Sequence, residues 1–208
     1  MFLICPLVKD WAGSRALPNE TSVNENLEPY KDILDLLCRW ADSRSADHLE
    51  YDRMPEISAL REYDVQYITG AMLAILAHAE SDARAYVIDA LTYLVPRDVM
   101  IDLLLPCLSD PSPEIRWSVC EAINGNPDPR VVLSLVKVLQ DDDDPDVRVV
   151  AVEALSSVGD ERALPALAYA EKHEKGKDYE DRTVANAARE AIAAIRKRTN
   201  SRSVSVSD

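Results

Sequence analysis

The feature that most constrains this chain is an internal repeat with a period of 32 residues. Pro113 shifts onto Pro145 and Arg116 onto Arg148, and the same frame extends backwards to Arg84. Three consecutive units at one fixed period are typical of a repeat solenoid, in which each unit buries its apolar face against its neighbours. The repeat therefore predicts the architecture, whereas the function depends on what the units leave exposed.

Each unit carries two stretches in which apolar residues recur every three or four positions, which is the pattern of a helix with one buried face. The first helices are predicted at 64–79, 98–109, 129–140 and 161–173, and the second helices at 82–94, 113–124, 145–157 and 180–197. An irregular first unit is predicted from residue 29, with a short second helix opening at Pro55. Terminal units are commonly irregular because they cover the apolar end of the stack. The sequence thus predicts an all-α fold of about five stacked antiparallel helix pairs.

The chain outside the repeats divides into an arm and a tail. Residues 1–28 lack periodicity and are predicted to form an irregular N-terminal arm, while 29–198 form the helical array. The Ser-rich residues 199–208 are predicted to be a disordered tail. Within the array, the period fails at a charged insertion, 171–181, before the last helix.

Prolines and one glycine mark irregular points in the predicted helices. Pro106 and Pro165 fall inside or near first helices, where the missing N–H of proline bends the helix. Gly159 follows the apolar stretch that ends at Val158, and it is predicted to be a helix C-terminal glycine.

The charge balance excludes some classes of partner. The 37 acidic residues outnumber the 23 Lys and Arg, which gives a formal net charge of -14. Such a surface repels nucleic acid and anionic lipid and attracts a basic partner. The four cysteines form no Cys-x-x-Cys motif, and the short apolar N-terminus has no basic region before it. The sequence therefore predicts a reduced, cytoplasmic protein without a membrane or nucleic-acid partner.

Two stretches resemble a known family. Residues 103–116 read Leu-Leu-Leu-Pro-Cys-Leu-Ser-Asp-Pro-Ser-Pro-Glu-Ile-Arg, and residues 160–167 read Asp-Glu-Arg-Ala-Leu-Pro-Ala-Leu. Both resemble HEAT repeats of the short bacterial type, similar to the units of phycobilisome lyase subunits. The resemblance covers about 64–168. It implies an α-solenoid with a right-handed superhelix that binds other macromolecules, and it implies no single reaction.

The candidate partner-binding residues lie on the predicted second helices. A row of acids recurs at Asp89, Glu121 and Glu153, roughly opposite the apolar positions of each helix. In the resembled fold the second helices line the concave face, so the row would form a docking strip for a basic protein segment. The predicted strip consists of Trp117, Glu121, Glu153, Asp89, Glu114 and Asp146. Two alternatives to this docking strip stay open. The acids could be present only because acids suit exposed helix positions and helix N-termini, and Trp117 could be buried against a neighbouring repeat.

A second row consists of arginines. Arg116 and Arg148 each follow an aspartate, Asp110 and Asp142, by six residues. In the resembled family such an Asp and Arg usually bond between neighbouring turns, which favours a structural role over phosphate binding. The acidic run 141–144 is predicted to be a solvated turn that caps the next helix, since it lacks the spaced ligands and the Gly of a calcium loop.

No motif in the sequence predicts catalysis. The three histidines lie far apart in sequence, and no phosphate-binding loop, nucleophile elbow or deaminase signature is present. No catalytic, cofactor-binding or metal-binding residue is therefore predicted, and no small-molecule substrate.

Three functional classes compete. The first is a non-enzymatic protein-binding scaffold or adaptor with an acidic concave face, in its sharper form an inhibitor or immunity protein for a basic toxin. The second is a subunit of a heterodimeric bilin lyase-like factor, which the family resemblance suggests. The third is a DNA glycosylase of HEAT-like fold, which would need a basic groove and is disfavoured by the charge of -14.

Overall fold

The computed structural model describes residues 28–43, 55–78, 81–126 and 128–205. The predicted N-terminal arm lies outside these residues except for Glu28, which begins a 3-10 turn, Glu28–Tyr30. Within the described residues the secondary structure is ten α-helices and short 3-10 segments, with a single isolated bridge and no strand. The all-α fold is therefore confirmed.

The helices alternate as the repeat predicts. In chain order they are α1 Lys31–Ser43, α2 Pro55–Leu60, α3 Val65–His78, α4 Ser81–Leu94, α5 Arg97–Leu104, α6 Pro113–Ile123, α7 Pro129–Asp141, α8 Pro145–Val158, α9 Leu164–His173 and α10 Val184–Ser205. Helices α5 and α9 each have a 3-10 extension, Leu105–Ser109 and Glu161–Ala163. Taken in order, these ten helices make five consecutive pairs, the number that the sequence predicts.

The contacts divide the chain into two compact units, residues 1–100 and 101–208. In the first unit, α1 packs on α2 and α4, and α3 packs on α4. Its largest buried side chains are Ile33, Leu37, Trp40, Ile57, Leu60, Ile68, Met72, Ile75, Ile88 and Leu91. The short α2 confirms the irregular first pair, because it contributes only Ile57 and Leu60 to this core.

The second unit is built around α8. This helix packs against α6, α7 and α10, and α10 also packs against α9. Seven residues of α8 are buried, namely Val147, Val149, Val150, Ala151, Val152, Ala154 and Leu155. A helix that is apolar around most of its surface must lie between others, which explains its central position.

The two prolines of the first helices behave differently. Pro106 stands where α5 gives way to the 3-10 segment Leu105–Ser109, so the helix geometry changes at this proline. Pro165 lies in the first turn of α9. A first-turn N–H has no partner within the helix, so proline interrupts nothing there and the predicted bend is wrong for Pro165.

Gly159 ends α8, but it does not use the left-handed conformation common at that position. Its φ of -60° and ψ of 151° are open to any residue, and its N–H donates to Leu155 O at 2.8 Å. A Cβ at this position would come within 2.4 Å of Leu155 O and 2.9 Å of Ile195 Cδ1. Glycine is favoured here mainly because a Cβ would collide with the Leu155 carbonyl of α8 itself, and Ile195 of α10 adds a second close contact.

The last helix is longer than the sequence predicts. The structure corrects the predicted tail for residues 199–205, because α10 continues through Ser205. Arg198 donates to the carbonyl oxygens of Ser156 and, at 2.8 Å, of Gly159, which fastens this part of α10 to the C-terminal end of α8. An arginine so placed satisfies carbonyls that the end of a helix leaves without partners.

Candidate functional site

The arginine row is a structural device. Arg116 donates from Nε to Asp142 Oδ2 at 2.7 Å and from Nη2 to Asp142 Oδ1 at 2.8 Å. Its Nη1 also donates to Asp110 O at 2.9 Å, six residues before it. Arg148 repeats the pattern with Asp142 O at 2.7 Å and with the carboxylate of Glu174 at 3.5 Å. The predicted bonding between neighbouring turns is confirmed, so these arginines are not available to bind phosphate.

The acidic run 141–144 caps a helix and anchors an arginine. Asp144 Oδ1 accepts hydrogen bonds from the N–H groups of Asp146 and Val147, the first turn of α8, as predicted. Asp142 is not solvated, because its side chain is only 4% exposed. Burial alone would raise the pKa of Asp142, but hydrogen bonds from Arg116 and from the Asp144 N–H hold that pKa below its usual value. Within the described residues, no group of three potential ligands is arranged to hold a metal ion.

The exposed face of α6 carries the central part of the predicted strip. Its opposite face buries Ile115, Val119, Cys120 and Ile123. Glu114, Trp117 and Glu121 share the outer face because they are spaced by three and four residues. Trp117 is 37% exposed, so it lies at the surface and is not part of the buried core.

The equivalent face of α8 is covered. Val149 occupies the position that aligns with Trp117, yet it is only 1% exposed. Asp146 Oδ1 accepts the backbone N–H of Tyr179 at 2.8 Å, and Glu153 accepts a hydrogen bond from the guanidinium of Arg182. Both partners belong to the segment 174–183 between α9 and α10, which contains most of the predicted charged insertion and is called the insert below. The strip is therefore not one open row of acids.

The insert is an ordered turn held by a buried aspartate. Asp178 has a side chain that is only 1% exposed, and it accepts hydrogen bonds from the N–H groups of Glu180 and Arg182 and from Arg182 Nε. Burial alone would raise the pKa of Asp178, but these hydrogen bonds hold it below its usual value. Gly176 lies so close to α8 that a Cβ would come within 2.5 Å of Arg148 Nη2. The insert thus rests directly on α8.

A groove of about 380 Å³ lies between the starts of α6 and α8 and the insert. Its lining consists of Pro113, Glu114, Trp117, Ser118, Asp144, Asp146, Val147 and Tyr179. A hydrogen bond from Ser112 holds the pKa of Glu114 below its usual value, so this carboxylate is charged at neutral pH. The groove therefore combines two exposed aromatic rings with three carboxylates.

A second, polar groove of about 520 Å³ lies beside the pair formed by Glu153 and Arg182. Its other lining residues are Asn124, Ser156, Ser157, Thr183, Asn186, Ala187 and Glu190. Because Glu153 and Arg182 neutralise each other, this groove has less negative charge than the one beside Trp117.

The structure brings together only part of the predicted set. Glu114, Trp117 and Asp146 line one groove, and Glu121 continues the exposed face of α6. Glu153 lies at the other groove. The remaining predicted residue, Asp89, is half-buried on α4 in the first unit, where it has interactions of its own.

Sequence reasoning did not assign Tyr179, Arg182 or Asp144 to the site. Tyr179 and Arg182 lie where the repeat fails, so no 32-residue shift could place them. Asp144 was predicted as part of a capping turn, but not as a groove residue. The one available signal was the insertion itself, because an insertion in a repeat array forms a loop on one face.

The cysteines of the second unit differ in burial. Cys120 is fully buried, and this burial raises the pKa of its thiol to about 12. It is a small core residue, and its thiol stays protonated at neutral pH. Cys107 is half-buried in the 3-10 segment after α5.

Among the described helices, none is both long and apolar enough to cross a membrane.

Comparison with known families gives one match. The HEAT repeats family matches residues 69–156 and again 101–193, which together cover more than half of the chain. No curated protein and no solved structure matches this chain. The similarity to phycobilisome lyase subunits therefore stays a prediction. The repeated helix pairs, the interlocking arginines and this match agree, and the chain belongs to the HEAT repeats family, whose helical arrays are protein-interaction scaffolds.

Proposed function

We propose that this protein binds a basic segment of another protein on the exposed face of α6 and the groove beside it. The observation that carries the proposal is the exposure of Trp117 between the carboxylates of Glu114 and Glu121. Tryptophan is enriched among the residues that dominate binding energy at interfaces. Acids around it favour a partner of opposite charge.

The charge of the whole chain supports the same partner class. A net charge of -14 attracts a basic protein at long range and raises the rate of encounter. Because exposed charges are screened beyond about 8 Å at physiological ionic strength, association should slow as salt is added. The proposal therefore assigns steering to the acids and the lasting contact to Trp117.

In its sharper form, the protein is an inhibitor or immunity protein for a basic toxin such as a nuclease. The support is the combination of a small scaffold, strong acidity and an exposed aromatic residue. An inhibitor of this kind works by covering the basic substrate-binding surface of its target. Its gene would be expected beside that of a basic toxin, and the purified chain would abolish the toxin's activity at a one-to-one ratio.

The alternative, a bilin lyase-like subunit, has less support. A tetrapyrrole needs a mostly apolar, enclosing pocket. The grooves beside Trp117 and beside Glu153 are open to solvent rather than enclosing, and each has charged side chains in its lining. No specific observation within the described residues favours this function, and the binding scaffold remains our proposal.

The test compares two variants with the wild-type chain as bait in extracts of its source organism. The α6 variant carries Trp117→Ala, Glu114→Gln and Glu121→Gln. Glu153 is left unchanged because it is already paired with Arg182. The control variant carries Leu133→Ala, Glu161→Gln and Asp98→Asn, which remove a more exposed apolar group and two exposed acids elsewhere.

We expect a basic protein to be retained by the wild-type chain and by the control variant and to be lost from the α6 variant. Quantitative mass spectrometry of the retained proteins gives the ratio. Equal retention by the α6 variant, with unchanged circular dichroism, would remove α6 from the binding surface.

A further inference from the structure

We propose that the groove beside Trp117 holds an arginine side chain of the partner. This inference rests on the proposed function and names the chemistry of the group that the groove accepts. It is drawn from the charge of the lining, the unused carboxylate oxygens and the two exposed rings.

The lining has one sign of charge. Glu114, Asp144 and Asp146 contribute carboxylates, and none of the residues that line this groove is Lys, Arg or His. Asp144 and Asp146 each use Oδ1 to accept backbone N–H groups. Within the described residues, Oδ2 of each accepts no hydrogen bond, so both carboxylates keep an oxygen for a donor from outside.

The helix starts do not turn the groove into an anion site. The N-terminus of a helix favours anions because its first N–H groups lack partners. Here Pro113 and Pro145 begin the helices and have no N–H, and Asp144 accepts the next two N–H groups of α8. At α8 these donors are therefore absent or bound. At α6 Ser112 makes no side-chain cap, but Glu114 places a carboxylate in the first turn, so the groove has three negative charges and no basic side chain.

The aromatic rings favour guanidinium over ammonium. Trp117 is 37% exposed and Tyr179 is 73% exposed, and both contribute to the same lining. A planar guanidinium stacks on aromatic faces and donates in pairs to carboxylates, whereas an ammonium is a compact and more strongly hydrated charge. A groove with rings and carboxylates together therefore selects arginine over lysine.

The insert makes the groove beside Trp117 different from the groove beside Glu153. The backbone N–H of Tyr179 donates to Asp146, and the adjacent Asp178 is buried, so the backbone that carries the ring is held beside the groove. A guanidinium–carboxylate pair already exists within the chain, where Arg182 of the insert donates a hydrogen bond to Glu153 on α8. Glu153 is thus occupied within the chain, while the carboxylates beside Trp117 remain for a partner.

The first experiment uses three synthetic peptides with the full-length protein. They share one short acetylated sequence in which every basic position is arginine, lysine or the neutral analogue citrulline. Binding is followed through the indole N–H signal of Trp117 in proton–nitrogen NMR spectra, assigned with Trp117→Phe. We expect the arginine peptide to move this signal and to bind at least about threefold more tightly than the lysine peptide. The citrulline peptide should leave it unmoved.

The second experiment repeats the titration with single variants. Asp146→Asn keeps the oxygen that accepts the Tyr179 N–H but removes the charge, and Glu114→Gln is its counterpart on α6. Each should weaken the binding of the arginine peptide at least about threefold. Trp117→Ala, measured through the fluorescence anisotropy of a labelled peptide, should abolish the preference for arginine. Glu161→Gln, an exposed acid outside the groove, is the matched control and should change nothing.

Equal affinity for the arginine and lysine peptides would overturn the inference, since it would indicate attraction by charge alone. Binding that is unaffected by Asp146→Asn and Glu114→Gln would overturn it as well, as would no binding of the arginine peptide at millimolar concentration. These results differ from a failure of the proposed function. In that failure the α6 variant would also retain the same basic protein as the wild-type chain.

Discussion

Arg116 and Asp142 form a bidentate ion pair between consecutive repeats, both within the second compact unit. The two hydrogen bonds measure 2.7 and 2.8 Å, and the side chains are only 11% and 4% exposed. The same guanidinium reaches Asp110 O at 2.9 Å, so one residue joins the turn that precedes its own helix to the turn of the next unit. Arg148 does the same one unit later with Asp142 O and Glu174.

The first prediction concerns the stability of this pair. Replacing Arg116 with methionine leaves a buried carboxylate without its partner, and we expect the free energy of unfolding to fall by about 3–5 kcal/mol. Replacing both partners with apolar residues, Arg116→Met with Asp142→Leu, should cost clearly less than the sum of the single changes. Urea denaturation gives the values. A loss below about 1 kcal/mol for Arg116→Met would show that the pair contributes no more than a surface ion pair does.

The second prediction concerns pH. The pKa values of Asp142 and Asp178 are held below the usual aspartate value, so each carboxylate favours the folded state when it is ionised. This contribution is complete above about pH 4, the pKa region of unfolded aspartate, and is lost as pH falls through the lower folded-state values. We expect the melting temperature to drop steeply below about pH 4 and the slope to become shallower in Asp178→Asn. An unchanged slope would contradict the assignment.

The third prediction tests the seating of the insert. A Cβ at position 176 would come within 2.5 Å of Arg148 Nη2 and 3.1 Å of Pro145 Cβ. Because Arg148 is held by Asp142 O, we expect Gly176→Ala to displace the insert and to cost about 1–3 kcal/mol. Hydrogen exchange of the amides at 176–183 should become faster. Gly125→Ala is a poor control, since its φ of +74° strains alanine on its own account. Ala193→Gly, at an exposed position of α10, is used instead, and it should cost about 0.5–1 kcal/mol without changing the exchange of 176–183.

The fourth prediction concerns the pair formed by Glu153 and Arg182. Both side chains are well exposed, at 39% and 46%, so a double-mutant cycle should give a coupling energy of only about 0.2–1 kcal/mol. The coupling should decrease with added salt. A coupling above about 2 kcal/mol would indicate a buried pair and a tighter seal between the insert and α8 than the exposures imply.

The repeat period allowed most of the fold to be predicted. Shifts of 32 residues align Pro113 with Pro145 and Arg116 with Arg148. Both prolines begin a helix, and both arginines donate to the carbonyl six residues earlier, because repeated packing requires the same residues at the same positions. The period gave a wrong prediction of exposure where aligned residues have different neighbours. Position 149 aligns with Trp117 but is buried.

The site could be predicted only in part for the same reason. Trp117 and Glu114 belong to the repeat, and their spacing on α6 places them together. Tyr179 and Arg182 belong to the insert, and their positions depend on long-range contacts with Asp146 and Glu153. Periodicity carries no information about such contacts, so the pairing of Glu153 within the chain had no signal in the sequence.

The most direct test of the central proposal is the dissociation constant of the purified, captured basic protein for the wild-type chain, the α6 variant and the control variant. Surface plasmon resonance at low and at physiological salt gives both rate constants. We expect the α6 variant to bind at least about tenfold more weakly, mainly through faster dissociation, while the control variant stays within about twofold. Equal dissociation constants for the α6 variant and the control variant would contradict the proposal that this face of α6 holds the partner.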